Sequence, residues 1–248
     1  MRAAEYDLMR EVEDRHWWHA VLRTQVEHAL SGWLSPRGRL LDAGCGSGGM
    51  LEFLRLRMGN LHVTGIDVAE HAVWHCRERG LNNVQKGTVE ALPFADAAFD
   101  AVLSLDVLYH AEVDEERALA EMGRVLRQNG LLVLNLPAFA RLRGAHDVAV
   151  SGARRYAASQ VRLLLERSGF TVDIIYYWNA WLFVPLLLWR HLSRLKKDAA
   201  SSDLKLTPVW MNPLLAGMGR VDAVLCRELR LPFGSSVFAL ARKINHSP

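Results

Sequence analysis

One stretch limits this chain more than any other: Leu40-Leu41-Asp42-Ala43-Gly44-Cys45-Gly46-Ser47-Gly48, a short apolar run that ends in an acid and breaks into glycines. Glycines let a backbone turn tightly and approach a ligand with no Cβ in the way. The helix expected next, over 50–58, aims free N–H groups at whatever sits there. A second apolar run, His62-Val63-Thr64-Gly65-Ile66, delivers Asp67. A carboxylate at such a strand end is placed to accept hydrogen bonds from a ribose diol. These pieces describe a site for a nucleoside-containing ligand.

The glycines alone leave the ligand open. Gly44, Gly46 and Gly49 also satisfy G-x-G-x-x-G, the dinucleotide fingerprint, which is weak taken singly. Asp42 speaks against a dinucleotide, because it would set a like charge beside the pyrophosphate. It suits a cationic ligand with a free amino group, such as S-adenosylmethionine. Two downstream segments add to this: Gly87-Thr88-Val89-Glu90-Ala91-Leu92-Pro93-Phe94, and Phe99-Asp100-Ala101-Val102-Leu103-Ser104-Leu105-Asp106-Val107-Leu108-Tyr109-His110. With the glycine motif they resemble the class I S-adenosylmethionine-dependent methyltransferases, and within them the small-molecule group related to ubiquinone and menaquinone methyltransferases. The resemblance covers residues 38–175 in order.

The resemblance implies an α/β fold: a three-layer, Rossmann-like, seven-stranded sheet with its last strand antiparallel. Alternating strand and helix signals agree, with helices over 69–79, 114–126 and 159–168 and strands over 83–86, 101–105, 131–136, 171–177 and 236–243. Asn129-Gly130 is expected to cap the helix before the 131–136 strand. Residues 5–33 read as amphipathic helix, interrupted by His16-Trp17-Trp18-His19. The family ordinarily joins its last two strands by a short turn. Here roughly 55 residues, 178–234, intervene and look helical over 181–197 and 214–230. The organisation expected is one methyltransferase domain over 1–248, with an N-terminal helical lid over 1–34 and the insertion over 178–234.

Roles follow residue by residue from the resemblance. Asp42, Gly44, Cys45, Gly46 and Gly48 would line the methionine half of the cofactor, and Asp67 with Val68 the ribose. Thr88, Val89 and Glu90 would flank the adenine. Many relatives carry an acid where Thr88 stands, so here the Val89 N–H and the Thr88 hydroxyl are what the chain offers. Leu105 would contact the sulfonium side. The His-Trp-Trp segment implies a lid in which Trp17 or Trp18 excludes water and Arg23 reaches the cofactor carboxylate; plain packing of the tryptophans is the competing reading. Cys45 reads as a small turn residue rather than a reactive thiol.

His110 follows the fourth strand, where open α/β sheets bind ligands, and an imidazole titrates near neutrality. It is the first candidate base, against a merely hydrogen-bonding histidine. His146, in the loop after the fifth strand, is the second. Tyr109, Arg155 and Tyr156, with Trp17 and Trp18, are the candidate substrate contacts. His71 and His75 fall four apart on a helix but lack a third ligand, so no metal site is expected.

Composition bounds the rest. A net charge of +3 does not call for nucleic acid, and no Asn/Asp-Pro-Pro-aromatic motif of base methylases follows the fourth strand. Three cysteines without C-x-x-C spacing fit a reducing cytoplasm. Residues 1–13 are charged, unlike a signal peptide, and the apolar stretch 180–189 is too short to span a bilayer. Its tryptophans beside Arg190, Arg194, Lys196 and Lys197 suit a substrate lid, a homodimer face or peripheral membrane contact. The sequence therefore predicts methyl transfer from S-adenosylmethionine to a small apolar acceptor, oxygen favoured. An NAD(P)-dependent oxidoreductase and a non-catalytic cofactor-binding scaffold are the alternatives.

Overall fold

The computed structural model describes residues 10–144, 152, 154–195 and 208–244. Seven strands form one sheet: β1 (Arg39–Ala43), β2 (His62–Asp67), β3 (Val84–Lys86), β4 (Phe99–Leu105), β5 (Leu126–Pro137), β6 (Phe170–Trp178) and β7 (Ser236–Lys243). Their spatial order is β3-β2-β1-β4-β5-β7-β6. The first five are parallel, and β7 runs antiparallel between β5 and β6. The helices are α1 (Trp17–Ser31), α2 (Gly49–Arg57), α3 (Glu70–Glu78), α4 (Glu115–Val125), α5 (Ala158–Arg167), α6 (Phe183–Leu195) and α7 (Asn212–Leu229). The seven-stranded, last-strand-antiparallel fold read from the sequence is the one found.

Strand alternation sorts the core into two layers, because successive side chains point to opposite faces. Leu40, Leu103, Val133 and Phe238 pack with Val21 and Leu22 of α1, Leu51 and Leu54 of α2, Val73 of α3, and Ala216 and Ala223 of α7. Their neighbours Leu41, Val102, Leu132 and Ala239 pack with Leu119 and Met122 of α4 and Val161 and Leu165 of α5. Central strands buried on both faces must be apolar throughout, which is why they read as continuous runs.

Two local expectations are refined. The predicted 5–33 helix breaks at His16, which is extended (φ −79, ψ 130) and whose ring nitrogen accepts the Trp18 N–H at 3.3 Å. His16 is thus the N-cap of α1, and residues 10–15 form a separate helical piece ahead of it. At the other site, α4 runs directly into β5. Leu126 is fully buried and pairs with Phe99 across a bulge, so the strand begins five residues before the expected 131.

Between β6 and β7 the chain passes through α6, a 3-10 turn at Val209–Met211, and α7. Close approach ties α7 to α1: a Cβ on Gly219 would lie 2.8 Å from Val21 Cγ2 and 3.2 Å from Trp17. A carboxylate fixes the other side of α7. Asp222 accepts three successive backbone N–H groups, from Asn179 (2.7 Å), Ala180 (3.2 Å) and Trp181 (3.0 Å), where the chain leaves β6. Removing it would orphan all three donors. Asp222→Ala is therefore expected to lower unfolding stability by about 3 kcal/mol, read from urea denaturation, with Asp222→Asn recovering part of the loss.

Candidate cofactor and substrate site

The site is built at the C-terminal ends of β1, β2 and β4, where the strand order reverses. Between β1 and α2, Gly44, Gly46 and Gly48 all take positive φ (95°, 53° and 82°). At Gly44 a side chain is excluded twice over, since its Cβ would also run into Val107. The end of β2 holds this turn. The Ile66 carbonyl accepts the N–H groups of Gly44 (2.9 Å) and Cys45 (3.0 Å). Asp67 Oδ2 accepts the Gly46 N–H and Oδ1 the Ala69 N–H, each at 2.9 Å. Each Asp67 oxygen is left with acceptor capacity for a ligand hydroxyl. The carboxyl is pushed up by burial, against those two bonds and the His110 charge.

Asp42 lies beneath the turn, 2% exposed, and its Oδ1 has no hydrogen-bond partner. Burial, with the charges of Glu13 and Asp67, pushes its pKa up to about 8. A buried carboxyl with an unanswered oxygen suits a cation or a hydrogen-bond donor.

Residues 10–15 close over the loop in a way the sequence did not signal. Glu13 accepts from the Ser47 hydroxyl and from the Gly49 N–H at the start of α2 (3.3 Å), and burial pushes its carboxyl up. Asp14 pairs with Arg79 at 2.8 Å, while Arg79 also donates to the Ser47 carbonyl and to Glu52. Arg23, expected to reach the cofactor, does stand at the loop: a Cβ on Gly49 would lie 2.5 Å from its Nη2. Its nearest carboxylate oxygen is Asp14's, at 3.9 Å.

The paired tryptophans separate. Trp17 is buried against Gly219 of α7 and sits 5.7 Å from the Trp181 ring, and its backbone N–H donates to Asn212. Trp18 stacks on Trp178, with centroids 5.3 Å apart. Trp178 Nε1 donates to Asn135 Oδ1, and Asn135 Nδ2 donates to Asp106 Oδ2, both at 2.9 Å. Asp106 follows β4 in the left-handed region (φ 54°). Burial raises its pKa to about 7, against the Asn135 bond and the Arg155 charge. A relay from Trp18 to Asp106 thus joins the helical cover to the end of β4, and sequence reading overlooked it. Its signal was Asn135, a polar residue inside the apolar β5 run, which needs a buried partner.

The remaining candidates divide between site and scaffold. Thr88 spends its hydroxyl on Glu90 (3.0 Å), and Glu90 accepts the Asp114 N–H at the start of α4 (2.6 Å). Val89 is buried, whereas Val68 is exposed. Leu105, half-buried, ends β4. The Cys45 thiol is pushed well up by Cys76 and by burial, in keeping with a turn residue. Tyr156 anchors its loop through hydrogen bonds to Leu108 O (3.1 Å) and Glu115 (2.7 Å), and Arg155 donates to Ala138 O. The Tyr109 and His110 rings lie 4.3 Å apart. His146 lies outside the described residues. Among the described residues no group of three or more metal-type ligands occurs.

The buried Asp42 carboxyl makes stability depend on pH. Its pKa is raised in the folded state, so folding binds a proton and this contribution is lost as pH rises from about 4 toward 8. Asp42→Asn keeps the shape of the protonated acid. Its stability advantage over wild type is expected to be small near pH 4 and to grow to a few kcal/mol (an order-of-magnitude figure) by pH 8, in urea unfolding at the two pH values.

The comparisons agree with this architecture. The family described as "Methyltransferase domain" matches residues 41–134, from β1 into β5. The phthiotriol/phenolphthiotriol dimycocerosates methyltransferase 1 of Mycobacterium ulcerans is 33% identical over 168 residues, 65% of this chain and 57% of that protein. The malonyl-[acyl-carrier protein] O-methyltransferase of Erwinia pyrifoliae is 37% identical over 121 residues, 47% of this chain and 45% of that protein. The chain spans about half the length of the curated relatives it matches. Other relatives are named for N- and C-methyl transfer. In fold, the chain resembles a methyltransferase solved with the Trm112 activator of Haloferax volcanii (TM-score 0.63, 19% identity, 98% of this chain and 96% of that one). With the glycine turn, the Asp42–Asp67 pair and the strand order all in place, residues 41–134 match the methyltransferase-domain family and the chain shares the fold of solved methyltransferases.

Proposed function

We propose that this protein binds S-adenosylmethionine and transfers its methyl group to a small, apolar acceptor, with oxygen the favoured acceptor atom. The observation that carries the reading is the unanswered Oδ1 of buried Asp42 beside the glycine turn. A dinucleotide would bring a pyrophosphate there, which carries no N–H donor for that oxygen and opposes ionisation of the carboxyl. A ligand with an ammonium group supplies both the charge and the donors it lacks. Asp67, with acceptor capacity left on both oxygens, suits a ribose diol.

When bound, the cofactor supplies an electrophilic methyl carbon on a sulfonium. The chain's own part is to hold, orient and shield. Asp42 and the glycine turn take the amino-acid end and Asp67 the ribose. The Val89 backbone N–H serves the adenine, since the Thr88 hydroxyl is committed to Glu90. Arg23 neutralises the cofactor carboxylate once Glu13 and Asp14 give way. A hydroxyl acceptor has a proton to lose, and β4 ends in two groups suited to take it, Asp106 and His110. Apolar surroundings at Leu105, Trp18 and Trp178 favour an acceptor with little charge. O-methyl transfer is the activity named for the Erwinia relative; the N- and C-transfer named for others makes the acceptor atom a matter for assay.

Calorimetric titration with S-adenosylhomocysteine, which keeps the ammonium group, tests the reading. Binding is expected to be lost in Asp67→Ala and weakened about tenfold or more in Asp42→Ala, the value of a hydrogen bond to a charged group. Because an ammonium ligand favours ionised Asp42, binding at pH 7 should release close to one proton, seen by comparing buffers of different ionisation enthalpy, and affinity should rise with pH up to about 8. NADH binding in place of the homocysteine form would overturn the proposal, and binding of neither would favour a scaffold.

A further inference from the structure

The outer face of α7 takes no part in the cofactor site and carries an unexplained apolar surface. Ala216, Gly219, Ala223 and Cys226 face inward and are buried. On the opposite side Leu214, Met218, Val221, Leu225 and Leu229 recur at spacings of four and three, which align them on one stripe. They are 61%, 43%, 61%, 48% and 65% exposed. The 3-10 turn leading into the helix adds Val209 and Trp210, both about three-quarters exposed. A soluble surface rarely shows so continuous an apolar row without a partner.

Charge at its edge says which partner. A hollow of about 670 Å³ opens beside the start of the stripe, with Trp17, Val209, Pro213 and Ala216 as its apolar lining and Arg15 and Arg220 as its cations. Among the described residues Arg220 has no carboxylate partner, and Arg15 pairs only with Glu11 on the exposed surface. The acids of α7 are engaged elsewhere: Asp222 on the backbone at 179–181, and Glu228 with Arg227. An apolar stripe, an exposed tryptophan and flanking guanidinium groups are the chemistry of a helix that lies in a bilayer interface. A second copy of the chain fits less well, because a two-fold contact would meet Arg15 and Arg220 with a surface whose helix acids, Asp222 and Glu228, are already engaged. No described helix is long and apolar enough to cross a membrane, so the contact is one of lying on the surface.

We propose that α7 and the turn before it dock the protein flat on an anionic phospholipid bilayer, with Leu214, Met218, Val221, Leu225 and Trp210 in the interface and Arg15 and Arg220 against lipid phosphates. The surface is independent of the methyl-transfer reading.

Flotation of the full chain with vesicles tests it. At low salt the protein is expected to float with vesicles of phosphatidylcholine containing one-third phosphatidylglycerol, and to stay behind with phosphatidylcholine alone. Raising the salt should release it. Arg220→Gln should weaken partition about fivefold, the worth of one basic residue near an anionic surface. The triple change Leu214→Gln, Val221→Gln, Leu225→Gln should abolish it, with circular dichroism unchanged because all three side chains are exposed. Failure to float at low salt would overturn the proposal, as would flotation that ignores both sets of changes. Sedimentation velocity supplies the other outcome: a dimer that Val221→Gln dissolves would assign the face to a second copy instead.

Discussion

Two carboxylates at the ends of adjacent parallel strands set the terms for the whole site. Asp67 holds the glycine turn by accepting the Gly46 N–H, while the carbonyl before it takes the N–H groups of Gly44 and Cys45. The turn can therefore keep three successive left-handed glycines without drifting, and its position is set by β2 rather than by its own residues. Asp42 is then trapped beneath it with one oxygen unanswered. A buried polar atom without a partner costs about 1–3 kcal/mol. The rest of the fold offsets that cost: two dry layers of aliphatic side chains, one on each face of the sheet. Stability is held in the layers and given up at the strand ends, where the candidate site lies.

How far the sequence spoke for itself follows the same division. The central strands and the glycine turn were legible, because burial on both faces demands unbroken apolar runs and because Asp42 and Asp67 stand where strands end. The helix break at His16 was visible as an interruption but not as a cap, since capping depends on a side-chain angle that periodicity does not encode. The connections that complete the site were not legible. Glu13 meets Ser47 across 34 residues, Arg79 meets Asp14 across 65, and Trp178 reaches Asn135 across 43. Each partner reads alone as an ordinary surface acid, a basic residue or a core aromatic. Glu90 shows the converse: its motif position suggests a ligand, yet its carboxylate holds the start of α4 and the Thr88 hydroxyl.

The two tryptophans of the N-terminal helix explain how the cover is attached. Trp17 locks α1 to α7 at Gly219, and Trp18 locks it to the end of β6 at Trp178. With Val21, Leu22, Val26 and Leu30 also buried, α1 belongs to the core and cannot lift as a unit without losing much of one layer. Residues 10–15 are held differently. One apolar side chain, Val12, is buried; the rest of the attachment is polar, through Glu13 to Ser47 and Gly49, Asp14 to Arg79, and Arg10 to His75. Water and a ligand carboxylate can replace such contacts at little net cost, whereas they cannot replace packing. The break at His16 falls at the boundary between the two. The polar cover over Ser47 and Gly49 is thus the short piece before His16, whereas α1, α7 and the Trp18–Asp106 relay are held by packing. The β4 end therefore takes its geometry from packed side chains, and the loop at the start of α2 takes its cover from polar contacts.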